Sequence, residues 1–189
     1  MTKAALRQQY KQKRATLSEQ EHHTLSQQLT DKLLASGLLQ NCRYLHLYLP
    51  ISRLREINTY LLADALRQQS PDMQLVLPVM DAEQGTLEHL CWESSTQFKA
   101  NEWAIPEPQT GQKILSQQLD IVIVPLLAYD IAGHRLGYGK GFYDRFLAQC
   151  PEAVKIGLSF FEPEQAIPHE PHDIALDYCL SPSGIHQFT

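Results

Sequence analysis

The chain is expected to fold as an α/β protein: a three-layer single domain over residues 1–189, with a mainly parallel central sheet flanked by helices. Three observations carry that expectation. Strand-length apolar runs at residues 44–49, 73–80, 121–124 and 153–160 alternate with segments of helical period. The connection between the first two runs is long enough for a crossover, which favours parallel pairing. The run IVIV (121–124) is apolar at every position, the pattern of a central strand buried on both faces. At 189 residues and 43% hydrophobic content the chain can also bury a normal core.

Residues 2–17 read as a basic helix with Ala4, Ala5, Leu6 and Tyr10 spaced for one face. Ser18 followed by Glu21 is a capping box, opening a second helix with a stripe of Leu25, Leu29, Leu33 and Leu34. Gly37 stands where such a helix stops. The first strand (44–49) is ended by Pro50. Ile57, Leu61, Leu62, Ala65 and Leu66 then repeat at helical spacing, and MQLVLPVM (73–80) is the second strand. TLEHLCW (86–92) alternates as a hairpin-like strand. Residues 93–113 carry Pro106 and Pro108 and no period, so a long ordered loop or lid is expected there. After the central strand, GFYDRFLAQC (141–150) starts a helix, AVKIGLSF (153–160) is a strand, and residues 174–182 hold a short last strand.

Composition narrows the function classes. A formal net charge of −5 with 20% charged residues does not make a surface for gripping nucleic acid. No apolar run approaches membrane-spanning length, and the basic N-terminus lacks the apolar core of a secretory signal. Cys42, Cys91, Cys150 and Cys179 are far apart and form no CxxC pair, which fits buried, inert thiols in a reducing compartment. A monomeric cytoplasmic protein without nucleic-acid or membrane partners is expected.

The stretch GHRLGYGKGFYDR (133–145) concentrates chemistry. Gly137, Gly139 and Gly141 alternate with Tyr138 and Lys140, and glycine in such numbers suits a backbone that approaches a ligand closely. The loop follows the central strand and runs into a helix at about Gly141, at the carboxyl end of a parallel strand, where open α/β sheets bind ligands. Free N–H groups at a helix start would favour an anion, and Arg135 and Lys140 add full positive charge. Asp144 is either a dipole-favourable first-turn residue or a ligand for Mg²⁺. A glycine-rich turn with solvated charges is the alternative to phosphate binding. Neither GxxxxGK[ST] nor a full GxGxxG is present.

Two weaker groups accompany the loop. His169, Glu170, His172 and Asp173 fall within five residues, but Pro168 and Pro171 exclude a regular helix. An oxygen ligand such as Asp173 for Mg²⁺ is therefore favoured over zinc. Lys3 and Arg7, four apart, share one face of the first helix. Most such pairs are solvated surface charge.

RLGYGKGFYDR, preceded by VPLLAYDIAGH, resembles the signature of the 5-formyltetrahydrofolate cyclo-ligases, also called methenyltetrahydrofolate synthetases. The likeness extends over nearly the whole chain: the K-x-x-x-R start at Lys3 and Arg7, the EINT stretch from Glu56, PEP from Pro106, and Gln165, Pro168, Asp173 and Asp177 near the end. It implies ATP- and Mg²⁺-dependent closure of 5-formyltetrahydrofolate to the 5,10-methenyl form, with ATP as co-substrate, Mg²⁺ as cofactor and a reduced formylfolate as the other small-molecule partner. It also implies residue roles. Lys3, Arg7, Arg135, Leu136, Gly137, Tyr138, Gly139, Lys140, Gly141, Phe142 and Tyr143 would hold ATP, with Lys140 and Arg135 acting on the transferred phosphoryl group. Ile51 and Glu56 would line the folate site together with Tyr138, Gly139, Lys140, Gly141 and Phe142. Asp144 and Asp173 would hold Mg²⁺. Tyr138 stands where some members carry Arg, while His134, Trp103 and Glu107 receive no role. A non-catalytic folate- or nucleotide-binding protein and a different phosphoryl-transfer enzyme are the competing readings. Retention of Lys140 and Asp144 disfavours the first, and the Glu56 stretch and PEP disfavour the second.

Overall fold

The computed structural model describes residues 1–101 and 105–188. Its elements in chain order are α1 (Lys3–Ala15), α2 (Glu19–Ala35), β1 (Tyr44–His46), α3 (Thr59–Gln69), β2 (Gln74–Asp81), β3 (Thr86–Cys91), β4 (Phe98–Ala100), β5 (Pro106–Pro108), β6 (Ile121–Val124), β7 (Ala128–Tyr129), β8 (Arg135–Leu136), α4 (Phe142–Leu147), β9 (Val154–Leu158), β10 (Tyr178–Leu180) and β11 (Ile185–Gln187). Among the described residues the main sheet runs in the order β11-β10-β9-β6-β1-β2-β3. Neighbours from β10 to β2 are parallel, and the edge strands β3 and β11 pair antiparallel.

Alternation along each strand builds the layers. Ile121 and Ile123 pack with Leu45, Leu75, Leu77 and Ile156 beneath Leu29 and Leu33 of α2 and Leu62 and Leu66 of α3. Val122 and Val124 face the other way, with Val76 and Cys179, against Phe146 and Leu147 of α4. The sheet thus has helices on both faces. Local chemistry agrees: Ser18 and Glu21 form the reciprocal capping box of α2, and Gly37, at φ +78°, follows its last turn.

The strand order reverses at β1. The β1–α3–β2 crossover steps to one side, and β6 lies on the other. The crevice beyond the carboxyl ends of β1 and β6 is where such sheets take ligands.

Four expectations need correction. Ala4 and Ala5 are exposed; the buried face of α1 is Leu6, Tyr10 and Arg14. The first strand ends at His46, after which Tyr48 and Leu49 stay buried but turn away to line a cavity. Within residues 93–113, the expected loop contains the β4–β5 ribbon, in which Lys99 pairs with Glu107. Its prolines are tolerated because this ribbon stands outside the main sheet. The glycine-rich loop does not follow the central strand directly, since the β7–β8 hairpin intervenes. Leu127 N–H donates to Leu136 C=O at 2.7 Å and returns the chain to the end of β6. Trp103 lies outside the described residues.

Candidate functional site

A cavity of about 830 Å³ opens at the switch point, and every residue singled out above for ATP, folate or Mg²⁺ lines it. Lys3 and Arg7 come from α1, Ile51 and Glu56 from the segment after β1, residues 135–144 from β8 through α4, and Asp173 from the segment ahead of β10. Leu77, Met80, Leu87 and Ile105 supply apolar walls from the β2–β3 and β5 side.

The cations and carboxylates are arranged as pairs. Lys3 Nζ lies 2.7 Å from Asp173 Oδ2 and 3.1 Å from Glu170 Oε1. Arg135 Nη2 lies 2.6 Å from Asp144 Oδ1 and Arg135 Nη1 donates to the Ile174 carbonyl. Ile174 N–H in turn donates to Asp144 Oδ1 at 3.2 Å, which draws the two carboxylates expected to hold a metal to the same side of the cavity. Burial opposes ionisation of Asp173, but hydrogen bonds from Lys3 and the Glu170 backbone outweigh it and hold the carboxyl below its ordinary range.

The glycine-rich loop is held from outside. Arg7 Nε donates to Gly137 C=O at 2.9 Å, and its guanidinium covers Gly139, where an added Cβ would come within 2.9 Å of Arg7 Cζ. Gly139 sits at φ +91°, which disfavours any other residue. Arg145 Nε donates to Gly85 C=O at 2.7 Å and Arg145 Nη2 to Lys140 C=O at 3.2 Å, fastening the loop to the β2–β3 turn. Lys140 itself is exposed, and its ammonium has no hydrogen-bond or ion-pair partner among the described residues. The helix that the loop runs into, α4, is six residues long. Any attraction for an anion here would come from full side-chain charges more than from aligned peptide dipoles.

Glu56 is buried, with 4% of its surface exposed. Its Oε2 accepts from Ile51 N–H at 2.7 Å. Tyr138, also in the cavity wall, accepts at its hydroxyl from Arg14 Nη1 at 3.0 Å. Burial pushes the Glu56 carboxyl up while Tyr138, Ile51 and Arg14 pull it down, with burial the larger effect.

Four residues near the site were not given roles from sequence. Arg14 and Arg145 are two of them; Arg14 lies on the buried face of α1 with Leu6 and Tyr10. Glu107 accepts from Met80 N–H and Asn101 Nδ2, each at 3.0 Å, and docks the β4–β5 ribbon on the cavity wall. His134 bonds Asp130 at 3.1 Å and stacks on His169 at 3.7 Å, which makes both rings part of a support rather than ligands. Among the described residues no group of three or more His, Cys, Asp or Glu side chains is arranged to hold a metal. Asp144 and Asp173 each engage one oxygen as acceptor. Their second oxygens accept no hydrogen bond among the described residues, a donor set that suits a hard cation shared with phosphate oxygens. No described helix is long and apolar enough to cross a membrane.

The family model described as the 5-formyltetrahydrofolate cyclo-ligase family matches residues 1–182. A mouse (Mus musculus) 5-formyltetrahydrofolate cyclo-ligase is 29% identical, covering 94% of this chain and 92% of its own length. The Haemophilus influenzae protein of that name is 32% identical over 86% of this chain and 88% of its own. Among solved structures, the Aquifex aeolicus 5,10-methenyltetrahydrofolate synthetase superposes with a TM-score of 0.85 at 27% identity, covering 99% of this chain and 93% of that one.

Proposed function

From the premise that this chain belongs to the 5-formyltetrahydrofolate cyclo-ligase family, we propose that it converts 5-formyltetrahydrofolate to 5,10-methenyltetrahydrofolate with hydrolysis of ATP to ADP and phosphate. The observation that carries the reading is the single cavity lined both by Lys3, Arg7, Arg135 and Lys140 and by a buried Glu56 among apolar walls. The first set fits a triphosphate, and the second fits a flat heterocycle with N–H donors.

The chemistry explains why both are needed. A formamide carbon is a poor electrophile, because the nitrogen lone pair delocalises into the carbonyl. Attack of the formyl oxygen on the γ-phosphorus releases ADP and makes that oxygen part of a leaving group. The second folate nitrogen then bonds the formyl carbon and gives up its proton. The C–O bond breaks, phosphate departs, and the methenyl bridge remains. No protein nucleophile is required; positioning and charge neutralisation do the work. In this reading the Lys140 ammonium, unpaired among the described residues, meets charge developing on the transferred phosphoryl group. Arg7 and the backbone of Gly137, Leu136 and Gly139 fix the triphosphate, and Phe142 and Tyr143 close the loop around it. Glu56 and Ile51 orient the folate ring. Mg²⁺ held by Asp144 and Asp173 would supply neutralisation of phosphate charge. Buried thiols at Cys91, Cys150 and Cys179 support a reducing, cytoplasmic setting.

The test is to mix the protein with Mg²⁺-ATP and 5-formyltetrahydrofolate and follow the near-ultraviolet absorbance of the methenyl product. Product that depends on all three components supports the reading. Binding of both small molecules without product would favour a non-catalytic carrier, and ATP consumption without methenyl formation a different phosphoryl acceptor.

A further inference from the structure

Lys140 stands between Gly139 at φ +91° and Gly141 at φ +71°, so glycine's freedom flanks it on both sides. Its side chain is exposed and unpaired among the described residues, and so restrains nothing. A cation that is to meet charge on a transferring phosphoryl group must be held to within about 0.5 Å. That restraint has to come from outside the loop.

Arg145, in the first turn of α4, is placed to supply it. Its Nη2 donates to Lys140 C=O at 3.2 Å and its Nε to Gly85 C=O at 2.7 Å. The Arg145 main-chain N–H donates to Gly141 C=O at 3.2 Å, and Cζ lies 5.4 Å from the centre of the Phe142 ring. Lys140, Gly141 and Phe142 all line the cavity, and Arg145 does not. It grips the loop from outside. The anchor at the other end is firm. Gly85 N–H donates to Asp81 C=O at 2.8 Å, and Asp81 Oδ1 accepts from Glu83 N–H at 3.0 Å and Gln84 N–H at 2.9 Å. This turn closes the β2–β3 pair, which is in register from Val76 with Cys91 to Asp81 with Thr86. Packing round the guanidinium is close. A Cβ at Gly85 would come within 2.8 Å of Arg145 Nη2, and one at Gly141 within 2.8 Å of Nη1. Two glycines from separate elements leave room for the same arginine.

We propose that Arg145 is a positioning residue that ties the Lys140 peptide to the β2–β3 turn and so aims the Lys140 ammonium at the transferred phosphoryl group. The inference rests on the role given above to Lys140. A hydrogen bond to the Lys140 carbonyl restrains the peptide plane that leaves its Cα, which narrows the directions open to its side chain. Two bonded carbonyls, one on the loop and one on the turn, hold the guanidinium itself in place. A solvated surface arginine would have neither. Because the contact sets geometry and touches no substrate, its removal is felt in the chemical step more than in binding.

Arg145→Met removes the donors and keeps much of the side chain's length, at an exposed position where the fold should survive. kcat for methenyl formation should fall about ten-fold, because small misplacements of a reacting group are costly. KM for 5-formyltetrahydrofolate and affinity for ATP should each stay within about three-fold. A double-mutant cycle separates positioning from general support. In a Lys140→Ala background, Arg145→Met should change kcat by less than about two-fold, since the group it aims is gone. In the ligand-free protein, the ¹⁵N order parameters of Gly139, Lys140 and Gly141 should fall in Arg145→Met. Gly85→Ala, whose methyl group would push the guanidinium off the turn, should lower kcat and those order parameters in the same direction. It decides the matter if Arg145→Met does not fold. Unchanged kcat or unchanged order parameters in the folded variant overturn the positioning role, as does an equal loss of kcat with and without Lys140. A large loss of ATP affinity at normal kcat also overturns it, and makes Arg145 a phosphate ligand instead. Should the parent protein form no methenyl product, the functional reading falls, while the order parameters still judge whether Arg145 holds the loop.

Discussion

Lys3 Nζ lies 2.7 Å from Asp173 Oδ2, a contact that spans 170 positions and ties the first turn of α1 to the segment ahead of β10. With Arg135 and Asp144 at 2.6 Å, it makes a site in which cations expected to meet phosphate and carboxylates expected to meet metal neutralise one another. Triphosphate and Mg²⁺ arriving together would replace each ion pair by two new ones, so neither charge is left unpaired at a partly buried position.

Turnover should therefore need a divalent ion as well as ATP. Excess EDTA should abolish methenyl formation, and added Mg²⁺ should restore it, with the ion serving as charge neutraliser rather than redox centre. Full activity in excess EDTA would contradict this role for Asp144 and Asp173.

Lys140→Ala should reduce kcat by roughly 10²–10³, the scale for losing one preorganised transition-state donor. The side chain is exposed and unpaired among the described residues, so the change should leave the thermal midpoint near that of the parent. Folate KM should move much less than kcat. A variant with normal kcat and weakened substrate binding would place Lys140 elsewhere in the reaction.

Gly139→Val is the test of the loop. The backbone there, at φ +91°, is strained for valine, and a Cβ would press on the Arg7 guanidinium at 2.9 Å. A stability loss of about 1–3 kcal/mol is expected from the backbone conformation. The ATP-induced rise in melting temperature should nearly vanish, because Arg7 and the loop backbone are displaced together. A folded variant with the full ATP-induced rise would show that the loop is a turn only.

Asp130 gives a prediction about stability. It is 1% exposed and accepts from the N–H groups of Ala132 and His134, each at 3.0 Å, and from Ile167 N–H at 3.0 Å, fastening the β7–β8 hairpin to the closing segment. Burial pushes its pKa up, but these bonds and His134 prevail and hold it below 3.8. A carboxyl depressed in the folded state stabilises above its unfolded pKa and loses that contribution as pH falls through the folded value. Asp130→Asn should cost about 1–3 kcal/mol at neutral pH, with the gap from the parent narrowing under acid. Denaturant unfolding at pH 7 and pH 3 measures both; an equal gap at the two values would refute the assignment.

Much of the fold was legible because its signals are local. IVIV (121–124) has the pattern of a strand buried on both faces, and Ser18 with Glu21 that of a helix start. The β4–β5 and β7–β8 ribbons were not legible. Their strands are two or three residues long, one carries Pro106 and Pro108, and their pairing depends on contacts that the local pattern does not encode. The glycine-rich stretch and its resemblance singled out residues that line one cavity, yet their ion pairing was not legible, since Lys3 and Asp173 lie at opposite ends of the chain. Arg14 was hidden for a different reason. In a helix with Lys11 and Lys13 beside it, a buried arginine has the same sequence appearance as a solvated one.

The central claim is that ATP activates the formyl oxygen of the folate held beside Glu56 and Lys140. Its most direct test uses 5-formyltetrahydrofolate labelled with ¹⁸O in the formyl group, turned over with Mg²⁺-ATP, with the phosphate product analysed by mass spectrometry. The account predicts one labelled oxygen in each phosphate released and one ADP for each methenyl bridge formed. Methenyl product accompanied by unlabelled phosphate would mean that the formyl oxygen never bonds to phosphorus, and would contradict it.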